Sequence, residues 1–137
     1  MRTFIIAVML LCFSFGGVTA AFREFNGVNW SRLDTLRIDQ KILYSVKLSY
    51  IMGLLRSRDE RMLYSVQRNE TPSLAVGDTS QIKPDEIVQL LDFFYKDNRN
   101  LHIPLVHAFV VACARLSGVA ESTIDSSVQG LQGRYSN

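Results

Sequence analysis

The chain has 137 residues, 47% of them hydrophobic and 20% charged, with 15 Lys and Arg against 13 Asp and Glu. Those proportions exclude a disordered or fibrous chain and fit one ordinary globular domain. A formal net charge of +2 lacks the clustered basic excess by which nucleic-acid binders hold a phosphate backbone, so no nucleic-acid partner is expected.

Met1 to Thr3 form a short positive head, Phe4 to Phe15 a run apolar but for Ser14, and Gly16 to Ala20 a small-residue end with Val18 and Ala20 placed for a cut before Ala21. This is the pattern of a secretory signal peptide over 1–20. The apolar run is shorter than the roughly 20 residues a helix needs to cross a bilayer, so a cleaved leader is expected rather than an anchor. Loss of Arg2 would leave 14 basic residues against 13 acidic ones. The one local basic cluster, Arg56, Arg58 and Arg61, is interrupted by Asp59 and Glu60 and reads as a self-compensating solvated face. Cys12 would leave with the leader, so Cys113 has no internal disulfide partner. Its apolar setting, AFVVACARL, marks it as a small core filler, with an intermolecular bridge or reactive thiol as the competing expectation.

From Ala21 to Leu33 no period stands out, and the segment reads as an extended lead-in with an Asn26-Gly27 turn whose aromatics fold onto the helices behind it. Asp34 or Thr35 is expected to cap a first long helix over about 35–57, with Leu36, Leu43, Val46, Tyr50, Gly53 and Leu54 at near-helical spacing. Gly53 inside that helix suggests close approach of another helix. Residues 59–67 read as more helix or a short strand, and 68–81, rich in Asn, Thr, Pro, Ser, Gly and Asp, as a long loop. Pro84 opens the next helix, Asp85 and Glu86 complement its positive end, and Ile87, Leu90, Leu91 and Phe94 make its buried stripe. Asp92 and Lys96 are spaced as an i, i+4 pair on its outer side. A fourth helix runs from Pro104 to about Ser117 and stops at Gly118, apolar on most sides and therefore surrounded by protein. A last helix over about 120–131 then frays into a tail. The expected architecture is an all-α single domain over 21–137, a bundle of four or five helices.

Between the last two long apolar helices lies the densest polar cluster, Tyr95-Lys96-Asp97-Asn98-Arg99-Asn100. A helix opened by Pro104 has Ile103 at its N-cap, which offers no acceptor, so Asp97 and Asn100 are expected to fold back and supply one. Arg99, His102 and His107 are left as the candidate binding residues, gathered near a helix N-terminus where an anion could sit. Two histidines with no Cys, Asp or Glu at ligand spacing do not make a metal site, and no cofactor is expected. Cys113 and His107 lie about 240° apart around one helix and cannot form a nucleophilic dyad. No HExxH, CxxC, GxSxG or glycine-rich phosphate loop is present, so enzymatic activity is not expected.

Phe94-Tyr95-x-Asp97-x-x-Asn100-x-x-Ile103-Pro104, followed by Ala108 and Gly118, resembles a set of small exported bacterial proteins of unknown function. Those proteins pair a leader with a Trp and a Lys-x-x-Tyr-x-x-Gly segment, here Trp30 and Lys47, Tyr50, Gly53. In size, export and helicity the chain is also similar, by analogy alone, to the periplasmic helical immunity proteins that neutralise cell-wall-degrading toxins. The resemblance implies a non-catalytic exported binding or interaction protein of the immunity or inhibitor kind, with a protein partner in the cell envelope. It would present the 97–102 or 68–81 loop. The alternative is a small enzyme or ligand-binding protein with a pocket around Asp97, Asn100, His102 and His107.

Overall fold

The computed structural model describes residues 25–56, 74 and 81–136, and among them there are five α-helices and no strand. The leader, the 59–67 segment and nearly all of the 68–81 loop lie outside the described residues. Leu74, within that loop, is fully buried in the core.

The expected extended lead-in is instead a helix, α1, Gly27–Leu33. Asn26 initiates it through a reciprocal cap: its Oδ1 accepts from Val28 N and Asn29 N at 3.1 and 3.4 Å, and Asn29 Oδ1 accepts from Asn26 N at 3.2 Å. A seven-residue helix has little stripe to show, which is why periodicity missed it. Asp34 does not cap the next helix. It closes α1, its backbone N–H donating to Ser31 and Arg32 carbonyls.

The second helix, α2, is Gln40–Arg56, five residues shorter at its start than expected. Thr35 returns its hydroxyl to the Arg32 carbonyl at 2.7 Å. Asp39 instead takes the first turn, its Oδ1 accepting from Lys41 N at 2.7 Å. Leu36 thereby falls outside the core and is exposed. The buried stripe of α2 is Leu43, Lys47, Ile51 and Leu54, with a lysine where an apolar residue would ordinarily stand.

Helix α3, Pro84–Phe94, starts at its proline with Asp85 and Glu86 in the first turn, and buries Ile87, Val88, Leu91 and Phe94. A 3₁₀ turn, Asn98–Asn100, leads to α4, Leu105–Leu116, which is buried without interruption from Leu105 to Ala114. The helix ends at Gly118 with φ +79°, where Gly118 N donates to Arg115 O and Val119 N to Ala114 O. That pair of bonds is the left-handed glycine stop, and a side chain at 118 would strain it. Cys113 is a free, fully buried thiol on α4, and burial pushes its pKa up to about 12. Helix α5, Glu121–Tyr135, continues a full turn past the expected end at 131. Successive helices α2, α3, α4 and α5 pack each on the next, with α4 at the centre.

Candidate functional site

Three helices meet around one cation. Lys47 is 3% exposed, and its Nζ donates to Asp92 Oδ1 at 2.7 Å and Asp34 Oδ1 at 2.8 Å while lying 5.1 Å from the centre of the Trp30 ring. Asp92 Oδ1 also accepts from the buried Trp30 Nε1 at 2.7 Å. The surface pairing of Asp92 with Lys96 is therefore replaced by a tertiary one, because a buried ammonium needs a counter-ion far more than an exposed one does. All three donors of Lys47 have an electron-rich neighbour, two carboxylates and a π face. The cluster reads as a tie between α1, α2 and α3. Tyr50, one turn on, packs its ring on Phe25 at 4.8 Å.

The turn between α3 and α4 is locked onto itself. Asn100 is buried and its Nδ2 donates to the Phe94 carbonyl at 2.8 Å, so it closes the end of α3 rather than the start of α4. Asn100 Oδ1 accepts from Gln132 Nε2 on α5 at 2.8 Å. Tyr95 turns its hydroxyl to the Ile103 carbonyl at 3.1 Å, and burial raises its pKa well above 10.0. Asp97 caps the 3₁₀ turn, accepting from Arg99 N at 3.0 Å, and forks with the Arg99 guanidinium. That side-chain bond lowers the Asp97 pKa below its ordinary 3.8.

Neither Asp97 nor Asn100 caps α4, contrary to expectation. Helix α4 begins one residue later, with Pro104 at its N-cap, and the Leu105 N–H donates 2.7 Å to the carbonyl of Phe25. Asn26 and Pro104 form an isolated antiparallel bridge beside it. The acceptor thus comes from a distant strand-like segment, which sequence proximity could not reveal. Gly27 makes the approach possible: a Cβ there would stand 2.9 Å from Leu101 Cα and against the Tyr95 ring.

The candidate binding residues do not converge. Arg99 and His102 are exposed on the turn, whereas His107 is buried in α4 with its Nε2 3.0 Å from the Tyr135 hydroxyl. A cleft of about 450 Å³ opens instead between the turn and α5. Asp97, Arg99 and Asn100 line it, and His102 and His107 do not. Its far wall is one face of α5, Asp125, Val128, Gln129 and Gln132, at i, i+3, i+4 and i+7. Arg115 joins it from the end of α4, its guanidinium held by Glu121 at 2.9 Å, a bond that lowers the Glu121 pKa below 4.5. Phe93 stands at the lip, 67% exposed. An exposed phenylalanine beside a buried one in Asp-Phe-Phe-Tyr was the available signal for it. Among the described residues no imidazole, thiol or hydroxyl lines the cleft, and no group of three or more His, Cys, Asp or Glu could hold a metal ion.

No protein-family model, curated protein or solved structure matches the chain.

Proposed function

We propose that the protein is an exported, non-catalytic binding protein that grips a protein partner of the cell envelope through the α3–α4 turn and the cleft behind it. The observation that carries this reading is Phe93, two-thirds exposed at the lip of the cleft, with the fully charged Arg99 fork beside it. Exposed aromatic and arginine side chains at the edge of a concavity are the residue types that anchor protein interfaces. The cleft supplies amides, from Asn100, Gln129 and Gln132, and the paired charges of Asp97 with Arg99, groups which suit recognition. The leader-like 1–20 segment supports export. No helix among the described residues is long and apolar enough to cross a membrane.

The test is site-specific photocrosslinking. A photoreactive phenylalanine analogue at position 93 is expected to capture one discrete envelope protein, while the same probe at the exposed Lys83, at the other end of α3, captures none. Phe93→Ala with Arg99→Ala, in a chain whose circular dichroism is unchanged, should weaken binding of that purified protein about tenfold or more. Equal capture from both probe positions, or unchanged affinity of the double variant, would refute the proposal.

A further inference from the structure

Helix α2 is inverted at its first turn: it buries Lys47 yet leaves Ile42 57% exposed, and Leu36 and Ile38 just before it are exposed as well. Ser45 and Ser49, farther along the side that carries Ile42, return their hydroxyls to the carbonyls of Lys41 and Ser45 at 2.8 and 2.7 Å. Three apolar side chains thus stand at the surface within one seven-residue segment.

We propose that residues 36–42 form a two-fold contact between two copies of this chain. The occupant is argued from charge. The segment reads Leu36-Arg37-Ile38-Asp39-Gln40-Lys41-Ile42, and it is self-complementary about Gln40. A two-fold axis at Gln40 sets Ile38 of each copy against Ile42 of the other, and Asp39 of each against Lys41 of the other. An isologous contact needs this kind of palindrome, in which each residue's mate lies on the same patch. Asp39 uses Oδ1 in capping Lys41 N, both side chains are exposed, and no ion pair engages the Lys41 ammonium among the described residues. Arg37, also exposed, adds a second cation that can reach the opposing Asp39. A partner of uniform charge would meet repulsion from one member of each pair.

The patch is smaller than the roughly 800 Å² per side of a standard interface, so the dimer is weak and its population depends on concentration. The contact shares no residue with the cleft, so its failure leaves the proposed function untouched.

The test is sedimentation equilibrium of the purified full chain over a wide concentration series. The expected mass rises from one chain to two, and Ile42→Glu holds it at one chain with the helical circular dichroism unchanged. Lys41→Glu, which faces Asp39 across the axis, should weaken self-association about tenfold. Mixing Lys41→Glu with Asp39→Lys should restore pairing between the two variants, because each then meets the opposite charge. A wild-type chain that is monomeric throughout overturns the proposal. So does a dimer indifferent to Ile42→Glu, which would place the contact elsewhere, or a monomer that uses this patch only with a different protein.

Discussion

Removing Asp92 should cost far more than removing the lysine it holds. In Asp92→Ala the Trp30 indole N–H, buried and bonded at 2.7 Å, loses its acceptor. An unsatisfied buried donor costs about 1–3 kcal/mol. Lys47 keeps Asp34, so its loss is one of two carboxylates, and Asp92 is 41% exposed, so solvent screens that part to about 1 kcal/mol. The sum is about 2–4 kcal/mol. Lys47→Met removes the cation while filling similar volume; Asp92 keeps the indole, and Asp34, 54% exposed, returns to water. Replacing a buried ion by an apolar side chain of like size is commonly near neutral, so about 1 kcal/mol or less is expected, of either sign. Urea unfolding followed by the fluorescence of Trp30, the single tryptophan, reads both variants. Equal costs for the two substitutions, or less than about 1 kcal/mol for Asp92→Ala, would refute the assignment of the energy to the stranded indole.

Asn100→Ala should lower stability by about 2 kcal/mol by leaving the Phe94 carbonyl without its donor, and Asn100→Asp should not rescue it in thermal melts, since a carboxylate cannot donate. Gly27→Ala drives a methyl into Tyr95 and Leu101 and should cost about 1–3 kcal/mol by overpacking, whereas Gly130→Ala, inside α5 with open space around it, should stabilise by about 0.5–1 kcal/mol through helix propensity. The Cys113 thiol, held up to about 12 by burial, should resist a thiol reagent at pH 8 in the native protein and react at once in denaturant; rapid native labelling would place it at the surface. Asp97 and Glu121 have pKa values lowered by their arginines, so each contributes stability above its ordinary 3.8 and 4.5 that is lost as pH falls through its lower folded value. Both groups are exposed and the contribution is small, so the check is an NMR titration of the side-chain carboxyl carbons. Arg115→Gln should return the Glu121 midpoint to its ordinary value, and an unchanged midpoint would show that the fork is not formed in solution.

Helices α3 and α4 were legible because their signals are local. Pro84 and Gly118 punctuate the chain, and Ile87, Leu91 and Phe94 repeat at helical spacing on a face that the rest of the fold does bury. Helix α2 was misread at its start because Leu36 continues the apolar spacing across a turn, while the true cap, Asp39, stands inside it. Lys47 carried a signal that periodicity alone discards: it sits midway between Leu43 and Ile51, in the register of the buried stripe. Its acid partners lie 13 and 45 residues away, and nothing in the local sequence selects them over other carboxylates. The same limit explains the polar turn. Asp97 accepts an N–H of the 3₁₀ turn and Asn100 donates to the end of α3, so neither supplies the acceptor expected for α4. Which end they cap was decided by Phe25, which arrives from the other end of the described chain to take the Leu105 N–H, and by Gln132, which takes the far side of Asn100. Phe94, Tyr95, Asp97, Asn100, Ile103 and Pro104 mostly serve this self-locking turn, so that segment describes how the turn is built more than what it binds.

The bond from Leu105 to the Phe25 carbonyl, with its neighbouring bridge from Asn26 to Pro104, also sets an order of events during synthesis. The segment around Phe25 is made long before Pro104 and has no edge to pair with until α4 follows. Contacts closed across so long a stretch of chain carry the largest loop-closure cost and form late. Such a closure is expected to follow the packing of α3 on α4, which are neighbours in the chain, and to fasten the bundle as a latch. A chain unravelling from Phe25 would release that latch together with its ring contact to Tyr50, exposing the positive end of its most buried helix.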